Sequence, residues 1–310
     1  MKRLVIVYNS HSSKYSRVKK EILDQLTEGT WTPYEIDTKL DVDGNAKEMV
    51  KFIKPGDRII SAGGDGTAII CANAILQSGI TDCELGVLPY GNFNDMARCF
   101  GGLNLVDITG PATKTEKVYP LEIKIDGKHR RYGVCYFTIG LLAESTEIFD
   151  HSKIRSRLRR SKKSISYSLY KLVGWYVRNS RHRFMPESFT VNGVEMHDKS
   201  DYAVVNGTSA AGVLRNRKRF YLDKAEFMSH SVNLRSFLTL VGFISRSVFW
   251  QIPGKTTRRE VIEFQEPATV EIQGEGEYFR VEVQKTIEFV KPDKTINMIV
   301  GNYGHVRIRT

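Results

Sequence analysis

The sequence has little of what marks a secreted or membrane-spanning protein. Only four cysteines occur in 310 residues, Cys71, Cys83, Cys99 and Cys135, and they form neither a C-x-x-C pair nor a zinc-like cluster. That excludes a disulfide-stapled scaffold and suits a reduced, cytosolic chain. No apolar run is long enough to span a bilayer. The run after Met1-Lys2-Arg3 is too short for the apolar core of a signal peptide. Any contact with a membrane is therefore expected from its surface. What the chain does have is positive charge: 46 Lys and Arg against 35 Asp and Glu, a net +11. This points to an anionic partner (phosphate, anionic lipid or nucleic acid) or to nothing more than solubility. The apolar share of 41% sustains ordinary cores, in two modest domains or one large one.

The first third alternates between strand and helix patterns. An apolar strand, Leu4 to Tyr8, runs into the hydroxyl-rich loop Asn9-Ser10-His11-Ser12-Ser13, then a helix with Val18, Ile22, Leu23 and Leu26 on one face. A short strand over 34–38 precedes a helix over 46–53. The apolar run 58–62 breaks at Gly63-Gly64-Asp65-Gly66, and Thr67 is placed to cap a helix carrying Ala68, Ile69, Ala72 and Ile75. Strand, glycine loop and helix N-terminus together suit a phosphate, because backbone N–H groups approach it closely and the helix dipole favours negative charge. A plain tight turn explains the same residues. A fourth strand stops at Pro89, Gly91 turns the chain, and Asn94 or Asp95 is placed to cap a short helix ending near Gly101-Gly102. The alternation predicts a doubly wound parallel sheet with both glycine loops at one edge.

Between Pro111 and Val118 the chain turns polar, and the periodicity changes to two. Leu121, Ile123 and Ile125 alternate with polar neighbours before an Asp126-Gly127 hairpin turn, and 131–139 returns as a strand. A second hairpin, 189–196, is centred on Asn192-Gly193. Further strand-like runs cover 202–205, 219–228, 259–264, 268–272, 279–283 and 286–290. These predict an antiparallel β-sandwich. The expected division is an α/β domain over 1–118 and a β domain over 119–299. In extended chain, Glu275 and Glu277 face the same way, and two close carboxylates raise one pKa, as a general base requires. The alternative is an acidic hairpin tip in water. The basic run 153–163, with Arg155, Arg157, Arg159, Arg160 and Lys162, precedes an amphipathic stretch with Leu169, Leu172, Val173, Trp175 and Tyr176. It suits docking on anionic lipid, at roughly 1 kcal/mol per near-surface cation, or a solvated loop before a core helix. No stacking or groove-reading motif accompanies it, so nucleic acid is not the expected partner.

Gly63-Gly64-Asp65-Gly66-Thr67 followed by Leu88-Pro89-x-Gly91-x-x-Asn94-Asp95-x-Ala97-Arg98 resembles the catalytic domain of the diacylglycerol kinase family. That family includes bacterial lipid kinases and sphingosine kinases and is related to NAD kinase. The resemblance implies an N-terminal α/β domain and a C-terminal β-sandwich with the active site in the cleft between them. It also implies a final segment, within 300–310 and specifically 305–309, returning to the first domain. It implies ATP and Mg²⁺ as cofactors. Asn9, Ser10, Ser12, Ser13, Thr38, Gly63, Gly64, Asp65, Gly66, Thr67, Asn92, Asn94 and Asp95 would hold the nucleotide, with Asp65 and Asp95 at the metal. Glu277 would be the base, with Glu275 its partner and Asp65 the third catalytic carboxylate. A structural metal site would use Asp223 with the carbonyls of Phe220 and Ala225.

The departures from the family pattern are Ser10 and Ser13 for proline and glycine, Asn92 for threonine, Leu142 for a carboxylate, Ala210-Ala211 for glycines and Lys224 for glycine. There is no Walker lysine, so phosphate charge is expected to be met by backbone and metal. The expected activity is transfer of a γ-phosphate to a lipid hydroxyl, diacylglycerol above others, at the cytoplasmic face of an anionic membrane. The oligomeric state is left open, a homodimer included. The alternatives are a catalytically weakened nucleotide- and membrane-binding homologue and a soluble-substrate kinase of the NAD kinase type.

Overall fold

The computed structural model describes residues 2–12, 14–91, 94–110, 113–140, 143, 188–197, 201–210, 214–215, 222, 224–232, 238–239, 242, 245–246 and 254–301. The first part contains β1 (Leu4–Tyr8), α1 (Tyr15–Glu21), β2 (Thr32–Glu35), α2 (Val42–Val50), β3 (Arg58–Ser61), α3 (Asp65–Ser78), β4 (Glu84–Val87), α4 (Asp95–Cys99), α5 (Leu105–Thr109) and β5 (Lys114–Val118). There follow β6 (Leu121–Ile125), β7 (Lys128–Gly133), β8 (Tyr136–Gly140), β9 (Ser188–Val191), β10 (Val194–His197), β11 (Asp201–Val205), β12 (Ser209–Ala210), β13 (Leu214–Arg215) and β14 (Phe227–Val232). The last elements are β15 (Lys255–Thr257), β16 (Arg259–Phe264), β17 (Ala268–Gly274), β18 (Glu277–Val283), β19 (Thr286–Val290) and β20 (Ile296–Val300).

The first sheet has the order β2-β1-β3-β4-β20-β5. β1 to β4 and β20 pair in parallel, and β5 is an antiparallel edge. Its strands are apolar runs because both faces are covered. Val5 and Val7 enter the core shared with α2, α3 and α4, while Ile6 enters the opposite core with Val18 and Ile22 of the α1 segment and Ile108 of α5. Two antiparallel sheets follow, β10-β9-β16-β19-β6-β7 and β15-β14-β11-β8-β17-β18. They share a core that includes Phe137, Phe189, Ile262, Ile272 and Phe289. Three two-residue turns, Asp126-Gly127, Asn192-Gly193 and Glu275-Gly276, have positive φ at both positions, as tight hairpins of this hand require.

The strand that returns to the first sheet is β20, inserted between β4 and β5. The stretch 305–309, expected in that role, lies outside the described residues. The polar stretch before Val118 is the strand β5; as an edge strand it buries only one residue, which removes the apolar signal. The basic run 153–163 and the amphipathic stretch after it lie outside the described residues. No described helix is long and apolar enough to cross a membrane.

The first sheet and the β-rich half meet through one continuous apolar core. Residues of α3 and α4 pack with Tyr132, Val134, Cys135, Tyr136 and Val205. Within that interface Asn73 of α3 donates to the carbonyl of Tyr132 and accepts its N–H, both at 2.9 Å. Arg131 of β7 reaches Asp43 of α2 at 2.8 Å.

Candidate active site

Because β1 to β4 are parallel, the loops after them lie at one rim of the sheet. The strand order reverses between β1 and β3, and in open α/β sheets such a reversal leaves a crevice for ligands. Gly63 to Gly66 borders that crevice. Gly64 lies against Gly91: a Cβ on Gly91 would stand 2.8 Å from the Gly64 Cα and 3.4 Å from the Asp65 nitrogen. The two glycine loops therefore form one surface.

Asp65 ties them together. Its Oδ1 accepts the N–H of Met96 at 3.1 Å, so it caps α4 from the neighbouring loop. Asn94 is the N-cap residue of α4, as the sequence suggests, but its side chain makes no capping hydrogen bond. Asn94 has φ 52°, and its Oδ1 accepts the N–H of Gly91 at 2.6 Å, closing the loop instead. Nor does Thr67 cap α3: the N-cap is Gly64, and Thr67 sits in the first turn, packed against Gly63. Burial, and then the like charge of Asp95, push the Asp65 carboxyl up to about 6, against the pull of α4 N–H groups.

The β17–β18 hairpin delivers the acidic pair to this rim, but the two side chains do not project together. Glu275 and Gly276 both have positive φ, so they form a turn rather than extended chain, and the same-face rule fails. Glu275 is 1% exposed, with Oε1 accepting the N–H groups of Val134 at 2.8 Å, Cys135, and Tyr136 at 3.1 Å. Oε2 has no partner among the described residues. Burial pushes this carboxyl up to about 8 despite the three donors. Glu277 is half-buried and lies against the first glycine loop: a Cβ on Gly66 would overlap its carboxylate.

Three residues join the site that the sequence did not single out. Asn206 donates to the carbonyl of Val134 at 2.7 Å and fixes the segment that cradles Glu275. Tyr136 is held by Gln273, whose Nε2 lies 3.2 Å from the phenol oxygen. Lys14 reaches from the β1 loop to the carbonyl of Gly91. The helix α4 abuts the same cradle, with the Cys99 and Cys135 sulfurs 3.5 Å apart.

Of the remaining expected residues, Asn9 accepts the N–H of His11 at 2.9 Å, and Ser10 donates to Glu35. Ser12 is half-buried and Thr38 is exposed beyond β2. Ser13, Asn92, Leu142, Ala211, Phe220 and Asp223 lie outside the described residues; Lys224 and Ala225 are described and exposed. Among the described residues no three carboxylate, imidazole or thiol groups gather as a metal centre.

Residues 3–125 match the family model of the diacylglycerol kinase catalytic domain, which bears out the resemblance carried by the two glycine motifs. Three solved structures from Bacillus anthracis str. Sterne share the fold. One is described as a diacylglycerol kinase, with 19% identity, 97% of each chain covered and a TM-score of 0.62. The other two carry that designation provisionally, at 19% identity and TM-score 0.62, and at 21% and 0.63. Each covers 97% of this chain; the shares of the other chains are 97% and 98%. No curated protein matches the chain.

Proposed function

We propose that the chain transfers the γ-phosphate of ATP to the hydroxyl of a glycerolipid, diacylglycerol above others. One observation carries the proposal beyond family likeness: the Glu277 carboxylate, from the β-rich half, abuts Gly66 of the loop that opens α3. A phosphate on that loop would face a carboxylate within reach of an attacking hydroxyl, the arrangement general-base catalysis needs. Gly63 to Thr67, with Asn9, Ser10, Ser12 and Thr38 at the same rim, would hold the nucleotide. Glu277 would accept the hydroxyl proton, and Glu275 would hold the hairpin tip in register through its three backbone donors. The buried, mutually repelling Asp65 and Asp95 suit a divalent cation, so these two residues would hold Mg²⁺. Such an ion neutralises charge developing on the phosphoryl oxygens.

The test is transfer of label from [γ-³²P]ATP with Mg²⁺ to a pooled lipid extract. Labelled lipid is expected, and Glu277→Gln should lose it while keeping its circular dichroism spectrum. Nucleotide binding without transfer to any lipid, or phosphorylation of NAD instead, would overturn the reading.

A further inference from the structure

The sequence offers no lysine in a phosphate-loop motif, yet the fold brings one to the rim. Lys14 is the residue before α1, and its side chain crosses the crevice so that the ammonium donates to the carbonyl of Gly91. Gly91 in turn lies against Gly64 and the Asp65 nitrogen. The ammonium is thereby held between the β1 loop and the two glycine loops, beside the first turn of α3.

Lys14 is half-buried, and no carboxylate pairs with it among the described residues. Its visible partner is a neutral carbonyl, which leaves two N–H donors for other acceptors. Asp65 and Glu21 are engaged elsewhere, Asp65 by the N–H of Met96 in α4 and Glu21 by Arg17 and Tyr90. Burial, followed by the like charge of Arg17, lowers the Lys14 pKa, as expected of a cation that lacks a counter-ion. Holding an ammonium in this way is costly unless an anion arrives to complete the site.

Resting on the reading that this rim holds nucleotide phosphates, we propose that Lys14 is a phosphate-binding residue, its ammonium contacting the polyphosphate chain of the nucleotide. In this role it does the work of a phosphate-loop lysine from a different place in the chain, the end of the β1 loop.

The test displaces a fluorescent ATP analogue from the full chain with two competitors, inorganic tripolyphosphate and adenosine. Lys14→Met keeps the apolar stem and removes the charge. It should weaken tripolyphosphate competition about tenfold, as loss of a charge-assisted hydrogen bond implies, and leave adenosine competition unchanged. Lys14→Arg should restore part of the loss. Equal competition by tripolyphosphate in wild type and Lys14→Met would overturn the assignment, as would failure of tripolyphosphate to compete in wild type. Parallel weakening of adenosine would also overturn it, by showing a merely structural role. Tripolyphosphate competition that depends on Lys14, with no transfer to any lipid, would instead sink the kinase reading and leave Lys14 in place.

Discussion

Gly66 has no room for a side chain, because the Glu277 carboxylate occupies the position of its Cβ. The atom it would meet is the end of a flexible chain, so Gly66→Ala should move Glu277 rather than unfold the protein. The expected result is a fall in turnover of at least about tenfold, of the size linked to general-base loss, with the melting temperature near wild type. Steady-state kinetics and thermal unfolding on the same sample check this. Glu275 presents the opposite case, a carboxyl whose surroundings favour the protonated form. Its folded pKa of about 8 lies above the usual 4.5, and burial is the main cause. Its contribution to stability is therefore fully present below about pH 4.5 and is lost as pH rises through about 8. Melting temperature should fall between about pH 4.5 and pH 8 in wild type and fall less in Glu275→Gln.

At the scale of elements, the legible features were those with one dominant local signal. Asp126-Gly127 and Asn192-Gly193 announce hairpins because both residue pairs adopt positive φ readily. Glu275-Gly276 makes the same turn, which the sequence offers only as an alternative, since glutamate rarely adopts φ of 49°. The turn gives the two carboxylates different surroundings: Glu275 is buried against the N–H groups of residues 134–136, and Glu277 is half-buried against Gly66. The capping of α3 and α4 escapes local reading for a related reason. Local spacing nominates Thr67, Asn94 and Asp95, whereas the donor groups of α4 are met by Asp65 from 31 residues away. Asp65 thus carries a structural share. Asp65→Ala should lower stability by about 1 kcal/mol, the usual cost of a lost cap, while Asp65→Asn should cost less by keeping an acceptor and removing repulsion with Asp95. Urea denaturation of both variants measures the difference. Lys14 was invisible as a site residue because nothing in its neighbours fixes where four methylenes lead.

For the molecule as a whole, strand order matters more than sequence order. β20 lies between β4 and β5, so the N-terminal part is not a self-sufficient unit, although the change in periodicity near residue 118 suggests one. A fragment of residues 1–118 would leave β4 with a bare edge and β5 without a neighbour, an invitation to aggregate. It should be insoluble or molten by near-ultraviolet circular dichroism, and a fragment ending at residue 125 should behave alike. Adding residues 291–301 in trans, as a peptide, should rescue part of the signal.

The chain passes between the halves after β5 and again before β20, and Lys291 donates to the Tyr119 carbonyl at 2.8 Å. The two passages run side by side as a two-ply strap. Severing one ply with an engineered protease site should therefore leave a nicked molecule that still elutes as one species, held by its second ply. Any rocking of the halves must bend both plies together and shear the apolar core that joins them, so strap and core together set how far the mouth can widen.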